Sequence, residues 1–194
     1  RVHPVAHAPE SLDMSGTEAR LANWITDAMR AATGAEVALY NRMYYRGIAI
    51  PAGVVDIVDL IQCSLPFNNR IVTFRVSGTE LLEVLEANIE ERSRNGATEL
   101  ALDRLVQVSG LHYAFDRRQP KGRRIVASDI DRERVYTVAL QVCGVGGETV
   151  RLAGHSGKLN DAIAEFPFEA ALYGFAAKQK VMVAPREGRV REVR

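Results

Sequence analysis

The run 135–142 (VYTVALQV) constrains the fold most. Val135, Thr137, Val138 and Val142 are β-branched and Tyr136 is aromatic. These residue types suit a pleated surface packed on its faces, so the run predicts a strand at the centre of a sheet. Gly144, Gly146 and Gly147 break it. A central strand needs neighbours on both edges, and the chain offers several. Residues 37–40 read as a short buried strand. Residues 71–76 alternate, with Val72, Phe74 and Val76 on one face, as in a half-buried strand. Residues 105–115 and 124–130 read as two strands joined by a turn around Pro120 and Gly122. The last pair, 181–183 and 189–193, closes around Gly188.

Helical segments alternate irregularly with these strands. In 17–32, Leu21, Trp24, Ile25, Ala28 and Met29 recur at i, i+3, i+4, i+7 and i+8, which makes one apolar stripe. Gly34 fits the C-terminal stop. Residues 54–63 combine a strand start with a short helix around 56–62. Ser77-Gly78-Thr79-Glu80 is a capping box. The helix it starts turns Leu81, Leu82, Leu85 and Ile89 inward and frays in the polar run 90–98, with Asn95-Gly96 as a turn. Residues 162–178 form a second long helical candidate, interrupted by Pro167 and Gly174, whose start can slip to Phe168. The mixture lacks strict βαβ alternation. It predicts an α+β single domain with a mixed β-sheet flanked by helices rather than a doubly wound fold. Residues 1–16 read as an extended lead-in or linker and 17–194 as the domain.

Composition excludes several classes. A chain of 194 residues that is 47% hydrophobic can bury one substantial core. Lys+Arg 25 against Asp+Glu 24 leaves no global field to attract nucleic acid or an anionic membrane. No apolar run approaches the roughly 20 residues that span a bilayer. The chain starts at Arg1 without a charged-then-apolar leader, as expected of a processed form or an excised fragment. The basic run 186–194 is interrupted by Glu187 and Glu192 and reads as a solvated strand edge. Cys63 and Cys143 stand in apolar surroundings, where two buried free thiols are expected rather than a disulfide.

His3 and His7 have a metal-ligand spacing only in a helix, and Pro4 and Pro9 argue against one there. His112 and His155 have no partner in sequence that suggests a catalytic dyad. No serine or cysteine has a nucleophile-elbow context. Gly144-Val145-Gly146-Gly147 follows a strand, but no well-patterned helix opens behind it, which disfavours a dinucleotide fingerprint.

Several segments, taken in order, carry a resemblance. Thr17-Glu18, Leu21, Asn23 and Thr26-Asp27-Ala28-Met29-Arg30 come first. Ile50-Pro51-Ala52-Gly53 and Leu65-Pro66-Phe67-Asn68-Asn69 follow, then Val76-Ser77-Gly78-Thr79-Glu80-Leu81-Leu82. Gln107-Val108-Ser109-Gly110-Leu111 and Tyr136-Thr137-Val138 with Gly146-Gly147 complete the series. In this order and spacing they resemble the C-terminal, substrate-binding domain of the 5′-nucleotidase family.

That resemblance implies a two-domain parent. An N-terminal metallophosphoesterase domain of the same polypeptide would hold two divalent metal ions, and this domain would grip a nucleotide or nucleoside-like ligand. No cofactor and no catalytic residue is expected in this chain, nor nucleic-acid binding or a membrane span. Secreted, periplasmic or cell-surface location is implied in the same way.

The resemblance breaks at the ligand loop. Where the family reads Asn-Gly-Gly-Gly-Ile-Arg, this chain reads Asn41-Arg42-Met43-Tyr44-Tyr45-Arg46. Glycine alone lacks the Cβ that blocks close approach of backbone to a ligand. Arg46 matches the family's arginine, with Arg42 as a rival because of one extra residue before Ile50. Tyr44 and Tyr45, with Arg42 and Met43, either offer new stacking faces or plug the pocket. The family's two base-stacking rings fall at Leu105 and Val150, so both are absent. Asn41, Asn69, Gly146 and Gly147 occupy the remaining ligand positions; Asn69 has an equal claim as a turn cap.

Overall fold

The computed structural model describes residues 3–43, 45, 49–63, 68–143, 147–148 (backbone alone) and 150–193. In chain order, β1 (Pro4–Ala8) precedes α1 (Arg20–Thr33), β2 (Val37–Tyr40), β3 (Gly53–Asp56) and α2 (Ile57–Ile61). Then come β4 (Arg70–Ser77), α3 (Gly78–Ala87), β5 (Glu91–Arg94), β6 (Ala97–Leu100), β7 (Gln107–Ser109) and β8 (Tyr113–Phe115). The chain continues through β9 (Ile125–Ser128), β10 (Val135–Cys143) and β11 (Gly147–Glu148). A 3-10 turn (Ser156–Asp161), β12 (Ala164–Pro167), α4 (Phe168–Gln179) and β13 (Val190–Glu192) finish it.

Among the described residues the main sheet has six strands in the order β12-β4-β10-β2-β7, with β11 also on β10. The expected central strand is central. β10 runs parallel to β2 and antiparallel to β4, so the sheet is mixed. Side chains alternate between two cores, as a period of two dictates. Ala38, Tyr40, Ile71 and Ala139 face one core with α1 and α4. Val37, Leu39, Val72, Phe74, Val76, Val138 and Leu140 face the other with α3. A three-stranded sheet, β13-β8-β9, lies on the α3 side, and the β1-β3 ribbon lies on the α1 side. The expected α+β class, a mixed sheet between helices, is what the chain adopts.

Six expectations need correction. Strand β4 is buried on both faces over Ile71–Phe74, because α1-side and α3-side cores cover it. Helix α1 starts at Arg20 rather than Thr17, and its N-cap Ala19 makes no side-chain cap. The run 90–98 does not fray: β5 and β6 form a hairpin whose turn residues Asn95 and Gly96 have φ of 51° and 79°. Those positive φ values at both central positions fit a tight hairpin turn. The strand expected over 105–115 is two, β7 and β8, separated at Gly110 (φ 89°). Finally, 181–183 does not pair with β13. Val181 bridges His7, while β13 runs parallel to β8. The basic C-terminal run is not wholly solvated either, since Arg189 is buried. Cys63 and Cys143 are buried and free.

Candidate functional site

Sheet register decides which loops can meet. β2 and β10 are parallel, so both leave the sheet at the same end. β4 enters there, with Arg70 opposite Val142, and β7 enters there, with Gln107 opposite Tyr40. The described residues 41–43, 68–69, 101–106 and 147 therefore lie at one end of the sheet. Pro167 lies opposite Arg70, so α4 also begins there. Of the sequence-predicted site residues, Asn41, Arg42, Met43, Asn69, Leu105 and Gly147 are among them.

Asn41 is buried, and its side-chain oxygen accepts from the Met43 amide at 3.2 Å, closing an Asx turn. The Arg42 side chain reaches backbone carbonyls of two other segments. Its Nε donates to the Leu102 carbonyl at 2.9 Å and its Nη1 to the Gly16 carbonyl at 2.9 Å and to Met14. The Arg42 amide donates to Asp103 at 3.1 Å, which joins two of the converging segments. Nη2 of Arg42 is buried with no hydrogen-bond partner among the described residues. Burial lowers the pKa of this guanidinium to about 10, since desolvation penalises the charged form. Met43 is partly buried. Tyr45 packs partly buried against the α1-side core, and burial pushes its phenol above the usual range.

Asn69 is buried, and its carbonyl accepts from the amide of Phe168 at the start of α4, at 3.2 Å. Its neighbour Asn68 stands where the resembled motif has glycine, and its φ of 51° is left-handed. Asparagine is among the side chains that tolerate that region. Leu105 and Val150 are fully buried in the α3-side core. Gly147 pairs through its backbone with Cys143. Tyr44, Arg46 and Gly146 lie outside the described residues. Sequence reasoning missed one aromatic pair at this end: the Tyr40 and Phe168 rings stack at 6.3 Å with an interplanar angle of 7°. No spacing signal links two residues so far apart. Cys63 is buried close to this pair, and desolvation pushes its thiol up to about 12.

Metal fits poorly here. Among the described residues no three His, Cys, Asp or Glu side chains are placed to ligate one ion. His112 bonds Asp129 at 2.9 Å on the surface, and His155 bonds Glu83 at 2.8 Å. Both histidines are thus paired with carboxylates.

The segments that carry the resemblance mostly do something else. Gln107 accepts from the Ala19 amide and donates to the Thr17 carbonyl, both at 2.9 Å, and so completes the start of α1. Glu18 accepts from the amides of Glu187 and Gly188 at 2.8 Å and from Asn23 at 2.7 Å. Asp27 accepts from Ser109 at 2.5 Å and pairs through both oxygens with Arg189 at 2.8 and 3.0 Å. A Cβ on Gly110 would sit 2.1 Å from the Glu36 carbonyl oxygen. These residues weld α1, β7 and the C-terminal segment. Arg189 was invisible in sequence because its partner lies 162 positions away.

The profile of the 5′-nucleotidase C-terminal domain family matches residues 4–148. Among solved structures, a 5′-nucleotidase precursor from Thermus thermophilus is 28% identical with a TM-score of 0.79. The match covers 99% of this chain and 40% of that one. The NAD nucleotidase of Haemophilus influenzae is 18% identical with a TM-score of 0.76, covering 99% and 38% of the two chains. The sulfate thiohydrolase SoxB of Thermus thermophilus, solved with glycerol, is 18% identical with a TM-score of 0.72, covering 98% and 35%. The last two likenesses speak to fold alone. Comparison with curated proteins gave no match. This chain thus spans about two fifths of the length of the nucleotidase structures it resembles. With the profile matched over most of its length and the fold reproduced end to end, the chain belongs to the 5′-nucleotidase C-terminal domain family.

Proposed function

We propose that this chain is the substrate-specificity domain of a two-domain 5′-nucleotidase-like metallophosphoesterase. The hydrolytic centre belongs to an N-terminal domain of the same polypeptide, whose two divalent ions would activate water and stabilise the leaving oxygen. Support comes from the family and from the share of the relatives' length that this domain accounts for. Asn41, Arg46, Asn69, Leu105, Gly146, Gly147 and Val150 mark the ligand positions of this reading. The likeness to a nucleotidase precursor supports a place outside the cytoplasm. No helix among the described residues is long and apolar enough to cross a membrane.

The ligand is not an adenine held between two rings. The carrying observation is that Leu105 and Val150 are aliphatic and fully buried in the α3-side core. Two stacking faces worth about 1–3 kcal/mol each are thereby lost. Calorimetric titration with AMP and adenosine should show no binding at micromolar concentration; micromolar adenosine binding would sink the altered-site reading. Arg42 bonded to backbone carbonyls of two other segments favours a second reading, a non-catalytic module with a closed nucleotide pocket. Metal-dependent phosphate release from nucleotides by the full polypeptide supports the first reading. An N-terminal half without the Asp-x-His and Asn-His-Glu metal motifs supports the second.

A further inference from the structure

Large apolar side chains left in solvent concentrate on the α1 side of the main sheet. Val54 on β3, Val58 and Ile61 on α2, Tyr173 on α4, and Val181 are each between 45% and 54% exposed. The elements that carry them touch one another. α2 contacts β3 and α4, α4 contacts β1, and His7 of β1 pairs with Val54 on one side and bridges Val181 on the other. Val58 and Ile61 are three residues apart and share the outward face of α2, a helix whose one charged residue is Asp59. Apolar surface spread over neighbouring elements in this way marks a contact site.

The polypeptide enters the domain at the rim of this face. The His3 amide donates to the Asp56 carboxylate at 3.0 Å, and the His3 carbonyl accepts from the Ile57 amide at 3.2 Å, so residue 3 is fastened to the start of α2. On the two-domain reading proposed above, the N-terminal domain is tethered there, and it is the larger part of the polypeptide, since this chain spans about two fifths of the nucleotidase structures it resembles. The face also borders the end of the sheet where Asn41 and Asn69 lie. α4 begins at that end, with Pro167 opposite Arg70, and the chain beyond α2 returns to it at Asn69. A domain that acts on a ligand held at that end, while tethered at His3, has to lie along the surface between the two points.

We propose that the N-terminal domain of the same polypeptide docks on the α2–α4 face and covers Val58, Ile61 and Tyr173. This docking requires the two-domain reading and does not require hydrolysis. Contacts between domains of one chain are of moderate size, roughly 600–1,500 Å². A tether at the rim makes the contact intramolecular, so a small apolar face is enough to hold it.

The test measures maleimide labelling of the full polypeptide carrying Val58→Cys, Ile61→Cys or Tyr173→Cys. Val126→Cys on β9 and Val135→Cys on β10 serve as controls, because the replaced side chains are 48% and 55% exposed. The native Cys63 and Cys143 are buried. Labelling at 58, 61 and 173 should be at least tenfold slower than at both controls, and the difference should vanish in urea. Ile61→Asp, a change at an exposed position, should speed labelling at Tyr173→Cys about tenfold. Control-like rates at 58 and 61 in the folded polypeptide, or no response of position 173 to Ile61→Asp, would overturn the proposal. So would protection that grows with protein concentration, which would assign the face to a second copy. Metal-dependent phosphate release from nucleotides by the same samples separates this docking from the hydrolytic reading: release with unprotected cysteines sinks the docking alone, and protected cysteines without release sink hydrolysis alone.

Discussion

Two buried arginines stand in contrasting regions. Arg189, at the corner where α1, β7 and the C-terminal segment meet, has Asp27 and Glu187 as carboxylate partners. Burial pulls its pKa down, but bonding to Asp27 carries it above the usual value. Arg42, at the loop end, has among the described residues carbonyl acceptors alone and one Nη without a partner, and burial lowers its pKa. The corner joins residues that carry the family resemblance, Glu18, Asp27, Gln107 and Ser109, to Arg189 and Glu187 of the C-terminal segment. Those residues identify the family because they hold the domain together. On the function proposed above, what it binds depends instead on the other end of the sheet.

The largest expected effect tests that architectural role. Gly110→Ala places a Cβ 2.1 Å from the Glu36 carbonyl oxygen at φ +89°, with Arg30 close behind. Backbone cannot yield there without opening β7, so the cost should exceed about 3 kcal/mol in urea unfolding. Asn68→Gly, at the left-handed position of the loop end, should change stability by less than about 1 kcal/mol. Similar losses at both positions would erase the contrast between the regions.

Exchanging the two arginines sharpens it. Arg189→Met leaves Asp27 without its cationic partner and should cost about 3 kcal/mol. That is the low end for a broken buried pair, because the Asp27 side chain is about a third exposed. Arg42→Met leaves carbonyls of Leu102, Met14 and Gly16 without their donor, and about 1–3 kcal/mol should be lost. If Arg42→Met is neutral, the side chain is not a strut and the loop end is more open than its hydrogen bonds imply.

The same division explains what could be read in advance. The start of α3 is encoded locally: Ser77 and Glu80 are three residues apart and both halves of the capping box form. The start of α1 is completed by Gln107, 88 positions away, and no window along the chain contains both. A helix boundary set three residues early was the result. β10 was legible because its own composition demands a buried sheet position. The β5–β6 hairpin was not, since all its residues are polar or half-exposed and only Asn95-Gly96 marked the turn. At the candidate site, the departures from the resembled motif were legible at 41–46, Leu105 and Val150. That Arg42 reaches the Leu102 carbonyl, and that Tyr40 stacks on Phe168, depends on sheet register, which brings residues from distant segments to one end.

The smallest expected effects lie at the locally encoded cap. Ser77→Ala removes the acceptor of the Glu80 amide, a 3.2 Å bond, and should cost about 1 kcal/mol at every pH where the chain is folded. Glu80→Gln keeps a side-chain acceptor for the Ser77 amide but loses the charge that faces Lys158 at 3.1 Å. The Ser77 amide bond, helped by Lys158, holds the Glu80 carboxyl below its usual pKa of 4.5. A depressed carboxyl stabilises the fold above its unfolded value and ceases to do so as pH falls through its folded value. The Glu80→Gln deficit, under about 1 kcal/mol for a partly exposed group, should therefore be present at pH 7 and shrink below pH 4.5. Paired urea titrations at pH 7 and in this acid window measure both variants. A Glu80→Gln deficit that persists undiminished in acid would locate the loss in the bond geometry of the cap rather than in its charge.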